Sequence, residues 1–202
     1  MKDSDMVMEM VDIVLKPMEL KDVEKFRHWS THDDELFSDY NFLPKTDKEV
    51  REWYEWKVGS LFSEYFCIIE GEIPIGYLGM KGINFLFRTS FLGIVLDPGK
   101  VNQGYGEVAL RKFLKYYFEE KNMKKIFLHV APYNKRAFSL YKKIGFQTKG
   151  TFPYIYPNGK PPLYREEFQD IWDLAIELGG HWILRGIRME LSQEEYWKGA
   201  KE

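Results

Sequence analysis

The stretch VNQGYGEVALRKFL (101–114) places two glycines one residue apart, directly before an amphipathic segment. The apolar residues behind the glycines recur at the spacing of one helical face, at Leu110, Phe113, Leu114, Tyr117 and Phe118. We therefore predict a helix that begins near Glu107. The first N–H groups of a helix lack partners within it, and glycines let a ligand approach the backbone closely. This loop is therefore suited to a phosphate or pyrophosphate, although a plain strand-to-helix turn is the alternative.

Length and composition predict a single folded domain. The chain has 202 residues, of which 45% are hydrophobic and 17% aromatic, and domains usually contain about 100 to 200 residues. We predict one domain over residues 1–202, with residues 1–10 as an N-terminal extension. The formal net charge of -2 gives no bulk attraction to nucleic acid or to an anionic membrane, so neither partner is expected. A small-molecule or peptide partner fits better.

The start of the chain and its cysteine content indicate a compartment. The segment MKDSDMVMEMV (1–11) lacks the basic start and apolar run of a signal peptide, so we expect a cytoplasmic protein. Cys67 is the single cysteine and lies in the apolar run EYFCIIE, which predicts a buried thiol and excludes an internal disulfide. His28 and His32 have no third ligand at a suitable spacing, so no metal site is expected.

Hydrophobic patterning along the whole chain indicates one continuous α/β arrangement without repeats. Strands are predicted from alternating or continuous apolar runs, and helices from apolar residues at helical spacing. The predicted strands are 12–18, 64–70, 73–82, 89–97 and 124–131, and the predicted helices are 20–30, 47–60, 107–118 and 134–146. The glycine loop therefore lies between a strand and a helix of a βαβ unit.

The segment NKRAFSLYKKIGF (134–146) is a second helix with clear ends. Asn134 is a good N-cap and Gly145 a good terminator. Asn134 and Tyr141 are two turns apart on one face, separated by roughly 10 Å along the axis, so one ligand could contact both. Taken singly, Asn134 could be only a cap and Tyr141 only a core residue.

The glycine loop taken alone also matches a dinucleotide-binding fingerprint. GYGEVA fits the pattern G-x-G-x-x-G/A of nicotinamide and flavin enzymes. That interpretation requires an acidic residue at the end of the next strand, and IFLHVAPYN offers none there. The unit also comes late in the chain. Both observations disfavour a dinucleotide-binding fold.

Taken together, VNQGYGEVAL, the apolar strand before it and NKRAFSLYKKIGF resemble the acetyl-CoA-dependent Gcn5-related N-acetyltransferase (GNAT) superfamily. The likeness runs over about residues 11–152 and is nearest to the bacterial branch that includes ribosomal-protein and spermidine N-acetyltransferases. It implies an α/β (α+β) fold with a mixed, mostly antiparallel twisted sheet of about seven strands flanked by helices. It also implies transfer of an acetyl group from acetyl-CoA to a primary amine of a small molecule or peptide by direct attack.

The resemblance implies a role for each motif residue. The pyrophosphate of acetyl-CoA would bind backbone N–H groups of the loop, at Val101, Asn102, Gln103, Gly104, Tyr105, Gly106 and Glu107. Main-chain groups of Ile94, Val95 and Leu96 would hold the pantetheine arm and the thioester carbonyl, and Asn134 would bond the pantetheine from the other side. Tyr141 would be the general acid, because a phenol with a pKa of about 10 is protonated at neutral pH and can donate to the departing thiolate.

Two positions depart from the family pattern. Val101 replaces the usual Gln or Arg at the start of the loop, so Lys100 would have to supply the charge. Phe91 stands where many relatives carry a glutamate that helps to deprotonate the amine. Glu70 and Glu72 are candidate bases, while deprotonation through water or selection of the neutral amine stay open. These departures keep a non-catalytic acyl-CoA-binding sensor or subunit as the alternative function.

The acidic, aromatic segment STHDDELFSDYNF (30–42) is the candidate acceptor site. In the family this connection lines the acceptor side of the cleft, so Asp33, Asp34, Glu35 and Tyr40 are predicted to bind a cationic amine with an apolar stem. The alternative is a solvated acidic loop whose aromatic residues point inward.

The resemblance implies two further strands, at 146–152 and 182–192, and the C-terminal part carries an insertion over about residues 157–181 before the second of them. Apolar residues at helical spacing predict an additional amphipathic helix there, at Phe168, Ile171, Trp172, Ala175 and Ile176. This helix could pack on the sheet, close as a lid or form a subunit contact, so a homodimer stays open.

Overall fold

The computed structural model describes residues 11–157, 159–162 and 165–199, and the predicted N-terminal extension lies outside these residues. The described residues form a mixed α/β fold with eight strands, mostly antiparallel and flanked by helices, which confirms the predicted fold class. Two compact units are present. The first runs up to His32 and continues over Tyr40–Ile126, and the second contains Asp33–Asp39 and the chain from Phe127 onward. The single-domain organisation stays a prediction.

An antiparallel meander forms the sheet of the first unit. Its strands pair in chain order, as β1 (Val14–Pro17), β2 (Ser63–Glu70), β3 (Ile73–Asn84) and β4 (Thr89–Leu96). Residues 65–69 of β2 are all buried, as expected for a strand that is covered on both faces. Residues 71 and 72 connect β2 to β3 in the predicted tight turn.

The helices of the first unit are α1 (Leu20–Val23), α2 (Asp47–Val58) and α3 (Tyr105–Lys115). The helix predicted over 20–30 is only one α-helical turn, followed by a 3-10 helix at Glu24–His28. A capping box fixes the start of α2, because Thr46 Oγ1 accepts from Glu49 N (3.2 Å) and Glu49 Oε2 accepts from Thr46 N (2.9 Å). No helix of the described ranges is long and apolar enough to span a bilayer.

The core of the first unit lies where α1 and α2 cover β2. Val23, Val50 and Cys67 are fully buried there. Phe26 stacks on Trp29 with ring centroids 4.0 Å apart. Burying a large apolar side chain contributes about 1.5–3 kcal/mol, so this cluster is a main stabilising element of the unit. Burial raises the pKa of the Cys67 thiol to about 12, which confirms the predicted buried, unreactive cysteine.

The second unit contains the remaining elements. They are β5 (Lys125–Val130), α4 (Lys135–Ile144), β6 (Gln147–Ile155), α5 (Gln169–Trp172), β7 (Ile176–Leu178), β8 (His181–Ser192) and α6 (Gln193–Gly199). The first two residues of β5 are counted in the first unit. In the sheet, β8 lies between β5 and β6, and both β6 and β7 pair with β8 antiparallel. Asn134 and Gly145 flank α4 as predicted, with Gly145 in the left-handed conformation (φ 110°).

The helix predicted for the insertion is wrong beyond its first turn. Among the described residues of the insertion, only Gln169–Trp172 is α-helical, preceded by a 3-10 turn at Glu166–Phe168. Gly179 and Gly180 then adopt positive φ values of 58° and 81°, and this turn folds the exposed strand β7 back onto β8 as a hairpin. The strand β7 therefore forms because two glycines make a turn, a signal that the prediction from helical spacing did not take into account.

Candidate active site

The glycine loop starts where β4 ends. Asp97 follows β4, and its Oδ1 atom accepts two backbone hydrogen bonds, from Gly99 N (2.9 Å) and from Ser30 N (3.0 Å). Gln103 Nε2 donates to Gly99 O (2.8 Å), and this hydrogen bond connects the middle of the loop to its first residues. The predicted pantetheine-binding residues Ile94, Val95 and Leu96 are the half-buried end of β4, where they pair in register with residues 76–78 of β3.

The N-terminus of α3 is the part of this loop that could hold an anion. Gly104 is the N-cap in the left-handed conformation (φ 87°), which favours glycine. The N–H groups of Glu107 and Val108 both donate to Gly104 O (3.1 and 3.2 Å). The N–H groups of Tyr105 and Gly106 therefore precede the first bond within the helix, at its positive end. The helix begins at Tyr105, two residues before the predicted start.

Two acidic residues near the loop are already engaged. The buried Glu107 carboxylate pairs with Arg111 one turn later (3.0 Å). Glu70 pairs with Lys100 (2.6 Å) and accepts a hydrogen bond from the Tyr105 hydroxyl. The hydrogen bonds from Lys100 and then Tyr105 lower the pKa of Glu70, so it is held ionised. This arrangement favours a structural role for Glu70 over that of a general base.

Asn134 and Tyr141 lie on α4, both in the second unit. Asn134 is 7% exposed, and its Oδ1 atom accepts from Ala137 N (3.0 Å), as expected of an N-cap. A contact to pantetheine would therefore use the amide NH₂ group of Asn134. Tyr141 is 8% exposed and meets Phe146 edge-on, with ring centroids 5.7 Å apart.

Three of the predicted acceptor residues lie in the second unit, where remote side chains hold the acidic segment 33–39. Asp34 pairs with Arg165 (2.9 Å), and Glu35 accepts through its backbone oxygen from the Tyr156 hydroxyl (3.2 Å). Leu36 is fully buried in the core of this unit. Asp33 is exposed, whereas Tyr40 belongs to the first unit and meets His32 edge-on. Asp33, Asp34 and Glu35 therefore lie in one unit, and the grouping of all four residues stays a prediction.

Asp39 differs from Asp34 in its surroundings. Its Oδ2 atom lies 3.5 Å from the Tyr154 hydroxyl, which is itself 2.9 Å from the Tyr133 hydroxyl. Asp39 has no cationic partner among the described residues. The side chain keeps an exposed surface, yet desolvation raises the pKa of Asp39. A carboxylate in this position attracts a cation more strongly than one that is already paired.

One family model matches most of the chain, over residues 12–147, and it describes an acetyltransferase (GNAT) domain. The chain belongs to the GNAT acetyltransferase family. The match includes the glycine loop, α3 and α4 up to the start of β6.

Curated relatives of this GNAT domain include spermidine N(1)-acetyltransferases. The protein of Vibrio cholerae is 33% identical over 76 residues, which is 38% of this chain and 44% of the relative. The first relatives are thus matched over less than half of their length. The protein of Escherichia coli K12 is 24% identical over 159 residues, covering 73% of this chain and 80% of the relative.

Solved structures show the same fold. A chimera of the Vibrio cholerae spermidine N-acetyltransferase SpeG and hSSAT matches with a TM-score of 0.68 and 21% identity, covering 93% of this chain and 99% of that one. The spermidine/spermine N-acetyltransferase SpeG of Vibrio cholerae, in complex with manganese ions, gives a TM-score of 0.66 at 20% identity, covering 95% and 98%. At this identity the likeness establishes the fold of the GNAT domain and no more.

One feature of this GNAT domain has no clear signal in its sequence. Lys57 Nζ lies 4.5–5.2 Å from the ring centroids of four aromatic residues, Trp53, Trp56, Tyr65 and Tyr77. Desolvation lowers the pKa of Lys57 to about 8, while the rings favour its charged form. Trp53 and Trp56 both lie on α2, whereas Tyr65 and Tyr77 come from β2 and β3. These two strands are brought together by strand pairing, which the sequence does not show directly.

Proposed function

We propose that this protein transfers the acetyl group of acetyl-CoA to a primary amine of a cationic small molecule or peptide. The observation that carries the proposal is the left-handed Gly104 at the N-terminus of α3, behind the half-buried end of β4. An anion at this N-terminus gains both free N–H donors and the helix dipole. The family match supplies the chemical class.

The roles of individual residues are part of the proposal. Backbone N–H groups of residues 101–106 bind the pyrophosphate, since Glu107 N already donates to Gly104 O, and residues 94–96 with Asn134 hold the pantetheine arm. Tyr141 donates a proton to the thiolate. Val101 in place of a polar residue is compatible with this scheme, because backbone donation does not depend on the side chain. Lys100 contributes little charge while it is paired with Glu70.

For the acceptor, we propose an alkylamine with more than one positive charge, the class to which spermidine belongs. Within segment 33–39, Asp39 is the carboxylate best placed to hold a distal ammonium group, because Asp34 is paired with Arg165. Asp33 and Glu35 add negative charge at the surface. Tyr40 stays a predicted acceptor residue, and it belongs to the first unit.

The reaction itself needs few groups. A neutral amine attacks the thioester carbonyl carbon, the C–S bond breaks, and the thiolate takes a proton from Tyr141 as the amide forms. The proton of the attacking nitrogen leaves to water, and Tyr141 regains a proton from water, so the enzyme returns to its starting state. Positioning supplies much of the rate enhancement in such a direct transfer.

The test combines binding with turnover. Acetyl-CoA is titrated calorimetrically, with NADH as the comparator, and thiol release is then followed with spermidine and other amines. Binding of acetyl-CoA and not NADH, with amine-dependent thiol release, supports the proposal. Binding without thiol release for any amine favours the acyl-CoA-binding module, and failure to bind acetyl-CoA contradicts both.

Tyr141→Phe tests the general acid. We expect kcat to fall about 100-fold or more, while the affinity for acetyl-CoA changes little, because only the proton donor is removed. Tyr196→Phe, on α6, is the matched control and should leave kcat unchanged. An unaltered kcat in Tyr141→Phe would remove Tyr141 from the mechanism.

A further inference from the structure

Five large apolar side chains project from one end of the sheet of the first unit. Leu61 and Phe62 precede β2, and Phe85, Leu86 and Phe87 form the turn between β3 and β4. Their exposed fractions are 87%, 57%, 65%, 85% and 65% in that order. Ile83 N donates to Phe62 O (2.9 Å), and the rings of Phe62 and Phe85 lie 6.1 Å apart, so the two segments form one surface. We call these five residues the apolar tip.

The apolar tip is unusual for a solvent-exposed turn. Scattered exposed apolar residues are normal, but a contiguous group of this kind marks a contact surface. The turn is also well defined, because Asn84 Oδ1 accepts from Phe87 N (2.9 Å) and Arg88 has a positive φ of 55°. A local hydrogen bond therefore stabilises the backbone that presents these side chains to solvent.

Basic side chains flank the apolar tip. Lys81 and Lys124 are exposed and Arg88 is half-buried, and within the described ranges none of the three forms an ion pair. Lys124 N donates to Arg88 O (2.8 Å), and Lys81 pairs in register with Ser63, next to the tip. Glu64, the acidic residue beside Ser63, is engaged by Lys121 (2.9 Å). The rim of the tip is therefore positively charged.

This combination of charge and shape favours one kind of partner. A symmetric contact with a second copy would bring each basic rim close to its own equivalent, and like charges oppose such a contact. Nucleic acid would suit the rim, but aliphatic Leu61 and Leu86, the two most exposed residues of the tip, do not stack on bases. An anionic lipid surface matches both parts, because headgroups attract Lys and Arg while the acyl boundary takes up apolar side chains.

We propose that the apolar tip inserts into the interface of a bilayer that contains anionic lipids, with Lys81, Arg88 and Lys124 against the headgroups. The protein then binds one face of the membrane peripherally. Its overall net charge of -2 provides no bulk attraction, so binding depends on this surface alone. The length of β4 separates the tip from the glycine loop by about 26 Å, which leaves the loop accessible. This proposal does not depend on the proposed catalytic function.

The experiment is co-sedimentation of the purified full chain with lipid vesicles. We expect binding to phosphatidylcholine vesicles that contain phosphatidylglycerol, weak binding to phosphatidylcholine alone, and loss of binding at high salt. The double variant Phe85→Ser, Leu86→Ser should weaken binding at least tenfold. The triple variant Lys81→Gln, Arg88→Gln, Lys124→Gln should weaken it by about fivefold for each charge removed.

Matched controls distinguish binding through the apolar tip from non-specific adsorption of exposed apolar residues. Ile176 and Leu178 on β7 are also exposed (61% and 66%), and the variant Ile176→Ser, Leu178→Ser should bind vesicles as the wild type does. Circular dichroism and thermal unfolding check that each variant is folded. Equal binding by the wild type and the tip variant, or no binding to anionic vesicles, overturns the proposal. The proposal is also overturned if vesicles do not bind and light scattering shows a dimer that is absent in the tip variant.

Discussion

The glycine loop and the acidic segment 33–39 are held in opposite ways. In the loop, the bonds of Gly104 and Gln103 connect residues at most four positions apart. In the acidic segment, Asp34 is bonded to Arg165, Glu35 to Tyr156 and Asp39 to Tyr154, across separations of 131, 121 and 115 residues. The backbone at the start of α3 is thus held by local bonds, whereas the acidic segment depends on a distant part of the chain.

The largest expected effect breaks the local half of this comparison. Gly104→Val should weaken acetyl-CoA binding about thirtyfold or more, because a left-handed φ of 87° is strained for a β-branched residue and the N–H groups behind it lose their alignment. Calorimetric titration measures the change. Gly199→Val, at the end of α6 with open space around its Cβ position, is the control and should bind normally. Normal binding by Gly104→Val would mean that the loop is only a turn.

A smaller effect is expected on the acceptor side. Asp39→Asn should raise KM for a polycationic amine about fivefold and leave acetyl-CoA affinity unchanged, because it removes one partly exposed charge. The difference between the variant and the wild type should grow with pH as Asp39 ionises. Steady-state kinetics across pH measure it, with Asp170→Asn on α5 as the control. Equal KM values at every pH would place the acceptor elsewhere.

The Asp39→Asn variant and the wild type should also differ in how their free energy of unfolding depends on pH. Desolvation raises the pKa of Asp39 in the folded state, so the folded state binds the proton of Asp39 more tightly than the unfolded state does. This proton binding stabilises the wild type fully below the unfolded pKa, and the stabilisation is lost as pH rises through the folded pKa. Asp39→Asn should therefore become more stable relative to the wild type over that range. The difference should stay below about 1 kcal/mol, since the side chain keeps an exposed surface. Urea unfolding at several pH values checks its sign.

The long-range half of the comparison can be tested through Arg165. Arg165→Met should lower the free energy of unfolding by about 1 kcal/mol or less, and it should lower KM for a cationic amine about threefold because Asp34 becomes available. Chemical denaturation and kinetics measure the two effects. Lys198→Met, which removes an exposed ion pair on α6, should leave KM unchanged. A rise in KM would show that Arg165 positions the segment and does not compete with the acceptor.

The smallest effect is expected at Lys100. Because Lys100 is paired with Glu70, Lys100→Gln should change acetyl-CoA affinity by less than about twofold. Calorimetry at low salt gives the most sensitive measurement. Lys48→Gln on α2 provides the baseline for removing an exposed lysine. A tenfold loss would mean that Lys100 leaves Glu70 to contact the pyrophosphate.

The same contrast explains what could be predicted from the sequence. Asn134, Gly145 and the apolar face of α3 are local signals, and they placed α4, its ends and the glycine loop correctly. Arg165 gave no signal, because its partner Asp34 is remote in sequence and only packing brings the two together. The helix predicted for the insertion was wrong because the turn at Gly179 and Gly180 overrides the helical spacing of the apolar residues.

The Asp97 carboxylate connects two segments of the first unit. One oxygen atom accepts from Gly99 N at the start of the glycine loop and from Ser30 N, three residues before Asp33. A bound anion that orders the loop would therefore also restrain the chain that leads into the acidic segment. Thermodynamic linkage is reciprocal, so a ligand that restrains the chain at Ser30 would tighten binding of an anion at the loop by the same factor. A single carboxylate thereby couples the order of the loop to the order of the chain at Ser30.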